Sequence, residues 1–146
     1  MTVLKGIKDL EKYANKEIRK SLKEDVSKKL VKVAQEHVQK DVYDEYTPKV
    51  YNRTGELMDS FVVNDLANGI EIENTRRDGE RYIPEIIEYG HDESEQGYTF
   101  AYHYPGGDNY IQPRPFIENT RQQIMDESIH VNELKKSLKS KGLDIK

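Results

Sequence analysis

The side chains best suited to act on a substrate crowd into one stretch. Glu85, Glu88, Asp92, Glu93 and Glu95 lie close together, and Glu85 and Glu88, three apart, share a face of any helix that carries them. Paired carboxylates run acid–base or two-metal chemistry only inside a shaped pocket that excludes water. Here they border a hydrophilic, glycine-containing loop, so solvated acidity is the expectation. The four histidines are His37, His91, His103 and His130, and none stands in an HxH or HExxH pair that would grip a metal. A metal-dependent hydrolase using Glu85, Glu88, His91 and His103 is the enzyme hypothesis, ranked behind a structural and a nucleic-acid-binding role. Ser60 has no nucleophile-elbow context, no phosphate-binding glycine loop is present, and PGGD at 105–108 is a turn. With no cysteine, disulfides, thiolate catalysis and Cys-based zinc sites are excluded. The expectation is a protein with no catalytic residue, no metal site and no cofactor. Arg76, Arg77 and Arg81 sit among Glu73, Asp78 and Glu80, a weak footprint for nucleic acid.

The elements that position these groups can be read from periodicity. Leu4, Ile7, Leu10, Ala14, Ile18, Leu22, Val26, Leu30, Val33 and Val38 recur at steps of three to five, which predicts one long helix from residue 3 to about 43. It must end before Pro48, because proline pushes Thr47 out of helical geometry. Its apolar stripe is one residue wide over long stretches, which suits a helical hairpin or a partner's groove better than a deep core. Thr54 is placed to cap a short helix running to Ser60, with Gly55 turning the chain. Residues 60–74 predict a hairpin: Phe61 to Val63 form one arm, Asn68-Gly69 the turn at positive φ, and Ile70/Ile72 alternate with Glu71/Glu73 on the return. A short helix should start near Pro84, pack Ile83, Ile86 and Ile87, and stop at a left-handed Gly90. Tyr98, Phe100, Tyr102 and Tyr104 alternate along a strand. Pro115 opens a C-terminal helix with a buried stripe of Phe116, Ile117, Thr120, Ile124 and Met125, faltering near His130–Asn132 and ending before Gly142.

The fold class expected is α+β in a single domain, 1–146: a long N-terminal helix over 1–45, an acidic body with a small, mainly antiparallel sheet over 50–112 (a hairpin plus one or two further strands), and a C-terminal helix over 115–141. Charge is distributed unevenly. Residues 1–40 carry 11 Lys/Arg and 6 Asp/Glu, a net of +5; residues 41–100 carry 5 and 15, a net of −10. A basic arm on an acidic body suggests complementarity between neighbouring copies. With 35% hydrophobic residues, ten Tyr and no Trp, the composition suits a chain that makes interfaces. Leu10, Ile18, Leu22, Val26, Leu30, Tyr98 and Tyr102 are the interface candidates. No apolar run approaches the ~20 residues of a membrane span, and the N-terminus has no signal-peptide core, so a soluble protein made in a cytoplasm is expected.

Three stretches in order, VYNRTGELMDSF at 50–61, IPEIIEYGH at 83–91 and IQPRPFIENT at 111–120, resemble the small neck, or tail-completion, proteins of long-tailed bacteriophages and prophages. Members of that family begin with a basic helix, continue with a Tyr-x-Arg-Thr-Gly-x-Leu-x-x-Ser element and a hairpin, and then have a Glu-Tyr/Phe-Gly turn and an Arg-Pro-Phe motif opening the last helix. On this chain the matching positions are Arg53, Thr54, Gly55 and Leu57; Glu88, Tyr89 and Gly90; and Arg114, Pro115 and Phe116. The acidic loop 91–97 and the extension beyond about 128 depart from the pattern. The resemblance implies a non-enzymatic virion protein, made in the bacterial host, that assembles as an oligomeric ring between the head connector and the tail proteins and touches DNA only in transit. It leaves open a tail-tube terminator, a head-closure protein or, from a different class, a small nucleic-acid-binding phage protein. Within the motifs, Arg53 can hold a carboxylate through two bonds, and Glu88 is the candidate partner.

Overall fold

A computed structural model describes residues 3–45, 53–92, 110–111 and 113–145, with only the backbone for 91–92 and 110–111. The chain is helical without a break from Ile7 to Tyr43: α1 (Ile7–Ser21), a π-helical segment π1 (Leu22–Val26), α2 (Ser27–His37) and a second π segment π2 (Val38–Tyr43). α3 (Glu56–Asp59) leads into the hairpin β1 (Phe61–Leu66) and β2 (Gly69–Asn74), then β3 (Arg77–Asp78), β4 (Arg81–Tyr82), α4 (Ile83–Tyr89), β5 (His91–Asp92), β6 (Tyr110–Ile111), α5 (Phe116–Asp126) and α6 (Ile129–Ser140). The strands pair as three two-stranded sheets, β1 with β2, β3 with β4 and β5 with β6. Arg77 faces Tyr82 across one antiparallel ladder and His91 faces Ile111 across another. This is the expected α+β class.

Several boundaries differ from expectation for local physical reasons. The long helix contains wide turns: the Ser27 amide bonds the Leu22 carbonyl and the Asp44 amide bonds the Gln39 carbonyl, each five residues back. Residues 14, 18, 22, 26 and 30 step by four, and on a 3.6-residue helix each such step drifts by roughly 40°. A π turn lodges more residues and sets the drift back. The hairpin turn is Ala67–Asn68, and Gly69 already belongs to the strand. The non-helical positive φ expected there falls elsewhere, at Gly55, Gly79, Gly90, Gly142 and Ser128. Gly90 has φ 75° and ψ 176°, so it stops α4 in extended mirror-image backbone rather than a left-handed turn, still a region only glycine enters freely. The C-terminal helix breaks at Ser128 (φ 49°), a few residues before the expected faltering point. There the Asn132 side chain donates to the Glu127 carbonyl at 3.2 Å. α6 ends in a Schellman turn at Gly142, with the Leu143 amide on the Leu138 carbonyl and the Gly142 amide on Lys139.

Contacts gather the chain into two compact units that draw on segments distant in sequence and so do not follow the three consecutive blocks 1–45, 50–112 and 115–141. One unit comprises 1–33, 62–73 and 122–146; the other comprises 34–61 and 74–121. In the first, α6 packs on α1 and π1; Val26, Val33 and Leu138 are buried in this unit, as are the serines Ser21, Ser27 and Ser137. Small side chains let the helices approach closely. Ser137 donates to Asp25, and Lys141 donates to Ser21 at 2.9 Å and lies 4.0 Å from Asp25. The hairpin is tied to α1 by Arg19, which donates to the Ala67 carbonyl, and by the Lys23–Asp65 pair at 2.7 Å. That hydrogen bond raises the Lys23 pKa, but both partners are exposed and the pair contributes little.

In the second unit the buried core is Val38, Val42, Leu57 and Phe116, with Tyr43, Met58, Phe61, Ile83 and Ile87 packed around it. Burial pushes the Tyr43 phenol up. Of the predicted α5 stripe, Phe116 and Thr120 are buried and Ile124 is half-buried, a face that steps by four along the helix, while Ile117 and Met125 are exposed. Phe116→Ala should lower unfolding free energy by about 3–5 kcal/mol, read as a lower urea midpoint. Ile117→Ala should change it by less than about 1 kcal/mol.

Candidate functional site

All ten motif positions lie in the second unit, and the structure gives each charged one the same task. Glu88, 7% exposed, is held on α4, whose start at Pro84 needs no amide and whose end is set by Gly90. Its two carboxylate oxygens accept the backbone amides of Ile117 at 2.8 Å and Glu118 at 2.9 Å. These are among the orphan donors at the start of α5, where the helix dipole also favours an anion. Glu88 is therefore a helix cap supplied from another element. Its partner differs from the Arg53 suggested by sequence, because two fixed amides satisfy both oxygens.

Arg53 and Arg114 act at the opposite pole of another helix. Arg53 Nη1 donates to the Tyr43 carbonyl at 3.0 Å and its guanidinium stacks 4.4 Å from the Tyr43 ring centroid. Arg114 Nη1 donates to the Val42 carbonyl at 3.3 Å. Both cations thus meet the carbonyl end of π2, where the dipole is negative. The Arg114 amide also bonds the Ile87 carbonyl at 2.8 Å, which fixes the approach to α5. Pro115 stands just before that helix, and its carbonyl accepts the Asn119 amide at 2.9 Å. Gly55 (φ 79°) occupies the cap position of α3 expected for Thr54, whose hydroxyl still accepts the Glu56 amide at 3.4 Å. Leu57 and Phe116 enter the core, whereas Tyr89 is 74% exposed.

Two polar groups escaped the sequence reading. Asn74, buried, donates to the Leu57 carbonyl at 2.6 Å and accepts the Arg76 amide at 3.0 Å; its own carbonyl takes the Tyr82 hydroxyl at 2.7 Å. It continues the Ile70/Ile72 alternation, so a polar residue at an inward position was the available signal. Asp41 accepts from Asn119 at 3.0 Å and lies 2.6 Å from His37 Nδ1.

Of the groups considered for catalysis, Glu85 and Glu88 are described, and both line one cleft beside α4. Glu85 is exposed while Glu88 is occupied as a cap. His37 pairs with Asp41, and Ser60 donates to the Glu56 carbonyl. Arg76 forms an ion pair with Glu56 at 2.7 Å, and Arg77 lies over the Tyr82 ring. Among the described residues no group of three or more His, Asp or Glu side chains is arranged for a metal ion. The side chain of His91 and all of His103 lie outside those described, as do the strand expected over 98–104 and the interface candidates Tyr98 and Tyr102. Of the remaining candidates, Leu10 is exposed, Ile18, Leu22 and Leu30 are half-buried, and Val26 is buried inside its own chain. No described helix is long and apolar enough to cross a membrane.

The charged motif residues Arg53, Glu88 and Arg114 all finish helix ends. The chain belongs to the YomN family, which matches residues 6–140. It is 38% identical over 143 residues, 95% of its length and 96% of the relative's, to the SPbeta prophage-derived uncharacterized protein YomN of Bacillus subtilis (strain 168). No solved structure matches. The phage provenance implied by the three motifs is thus met in this relative.

Removing the α5 cap should be costly. Glu88→Ala is expected to destabilise the fold by about 2 kcal/mol, and Glu88→Gln by less, since the amide oxygen still accepts one bond. Chemical denaturation with Glu85→Ala as control checks this: equal losses at 85 and 88 would refute the capping role.

Proposed function

We propose that this chain is a structural virion protein of the phage neck, which self-associates into a ring that joins the head connector to the tail and lets DNA pass. The observation that carries the reading is the use of the motif residues. Arg53, Glu88 and Arg114 each complete a helix end, and Leu57 and Phe116 fill the core, so the motif residues serve the fold, and assembly is the work this reading gives the chain. The prophage-derived relative, which matches along almost its whole length, supports the setting. The resemblance of the three motifs to tail-completion proteins supports the position in the neck.

Assembly has a physical basis in the charge pattern. A segment of net +5 precedes one of net −10, and head-to-tail contact between unlike surfaces is the heterologous kind that closes into rings. Exposed charge pairs are screened beyond about 8–10 Å at moderate salt. Sedimentation velocity should therefore show oligomers at low salt that shrink as salt rises. Deleting the gene from an inducible prophage that carries it should leave DNA-filled heads and free tails as separate particles in electron micrographs. Normal tailed virions from the deletion strain would end the neck reading.

A further inference from the structure

Two surfaces in this chain are complementary. The first is the start of α1, where residues 3–12 are all exposed. Ile7 is 84% exposed and Leu10 49%; one helical turn apart, they form an apolar strip among Lys5, Lys8 and Lys12, with Asp9 and Glu11 interleaved, so the segment is basic by one charge. The second, in the other unit, is a cleft of about 380 Å³ beside α4 and the first turn of α5, lined by Tyr82, Glu85, Glu88, Tyr89, Ile117 and Glu118. Its apolar surface is open to solvent, with Tyr89 74% and Ile117 42% exposed; the exposed Glu85 supplies negative charge, while the Glu118 carboxylate is paired with Arg121.

We infer that Ile7 and Leu10 of one copy seat in the Tyr82–Tyr89–Ile117 cleft of a second copy, and this rests on the self-association proposed above. The occupant is chosen by charge as well as by shape. The cleft asks for an apolar segment flanked by cations, and the chain presents one at its own start. The positive pole of the α1 dipole and the lysines both favour an acidic surface. Aromatic side chains in a desolvated pocket carry a large share of binding energy, which gives Tyr89 a use that its exposure in the single chain does not explain.

The native chain has no cysteine, so the contact can be trapped with single substitutions. Ile7→Cys protein mixed with Tyr89→Cys protein and mildly oxidised should give a covalent dimer on non-reducing gels. The yield should far exceed that of either variant alone, or of Ile7→Cys mixed with Val131→Cys, an exposed control position. Tyr89→Ala should weaken association about tenfold and leave the melting temperature unchanged. If the unsubstituted chain forms oligomers in sedimentation but the 7–89 mixture cross-links no better than the controls, this docking mode is wrong and self-association stands. If the unsubstituted chain stays monomeric at low salt and high concentration, both fall.

Discussion

The second unit depends on pairing charged side chains with the unsatisfied ends of helices. Glu88 takes two amides at the start of α5, and Arg53 and Arg114 reach successive carbonyls at the end of π2. A carboxylate as buried as Glu88 is costly unless hydrogen bonds replace its lost water. Two amides carrying the positive pole of a helix replace that water, and the same bonds relieve donors that would otherwise be orphaned. The arrangement locates α4 against α5, and the core residue Phe116 follows directly from it. The Arg114 backbone bond to Ile87 sets the path into the same helix. Polar closure at the helix ends and apolar packing between them thus fix one geometry from two directions.

The first unit solves a similar problem with smaller groups. Its helices meet through buried serines, and Ser21, Asp25, Ser137 and Lys141 form a polar seam next to Val26 and Leu138. Close approach removes room for large apolar side chains, which fits a chain with few of them. What it cannot bury stays at the surface, most plainly near the start of α1.

Features carried by local rules were legible in the sequence. Strict alternation located the return strand of the hairpin, Pro84 and Gly90 bounded α4, and Gly142 marked the end of α6. The α+β class followed from these. Features that depend on distant partners were not. Glu88 lies 29 residues before the first amide it caps, and nothing near it distinguishes a helix end from an arginine as the partner. The π segments were hidden because a step of four looks helical in either geometry. Asn68-Gly69 is a strong signal for a turn at positive φ, yet the turn forms one residue earlier, at Ala67–Asn68, with Gly69 paired in the strand. Ile117 and Met125 matched a periodic stripe, but only the packing of Phe116 decides which face of α5 is covered.

The two π segments of the N-terminal helix have an evolutionary consequence. A π turn is an α-helix with one residue more than it needs. Deleting a single residue within Leu22–Val26 or Val38–Tyr43 would convert the wide turn to an ordinary one and keep the helix on either side in phase with its neighbours, whereas the same deletion elsewhere in the helix would rotate everything beyond it by about 100°. Related chains can therefore differ in length at these two points without rebuilding either unit, and single-residue gaps between them should gather there.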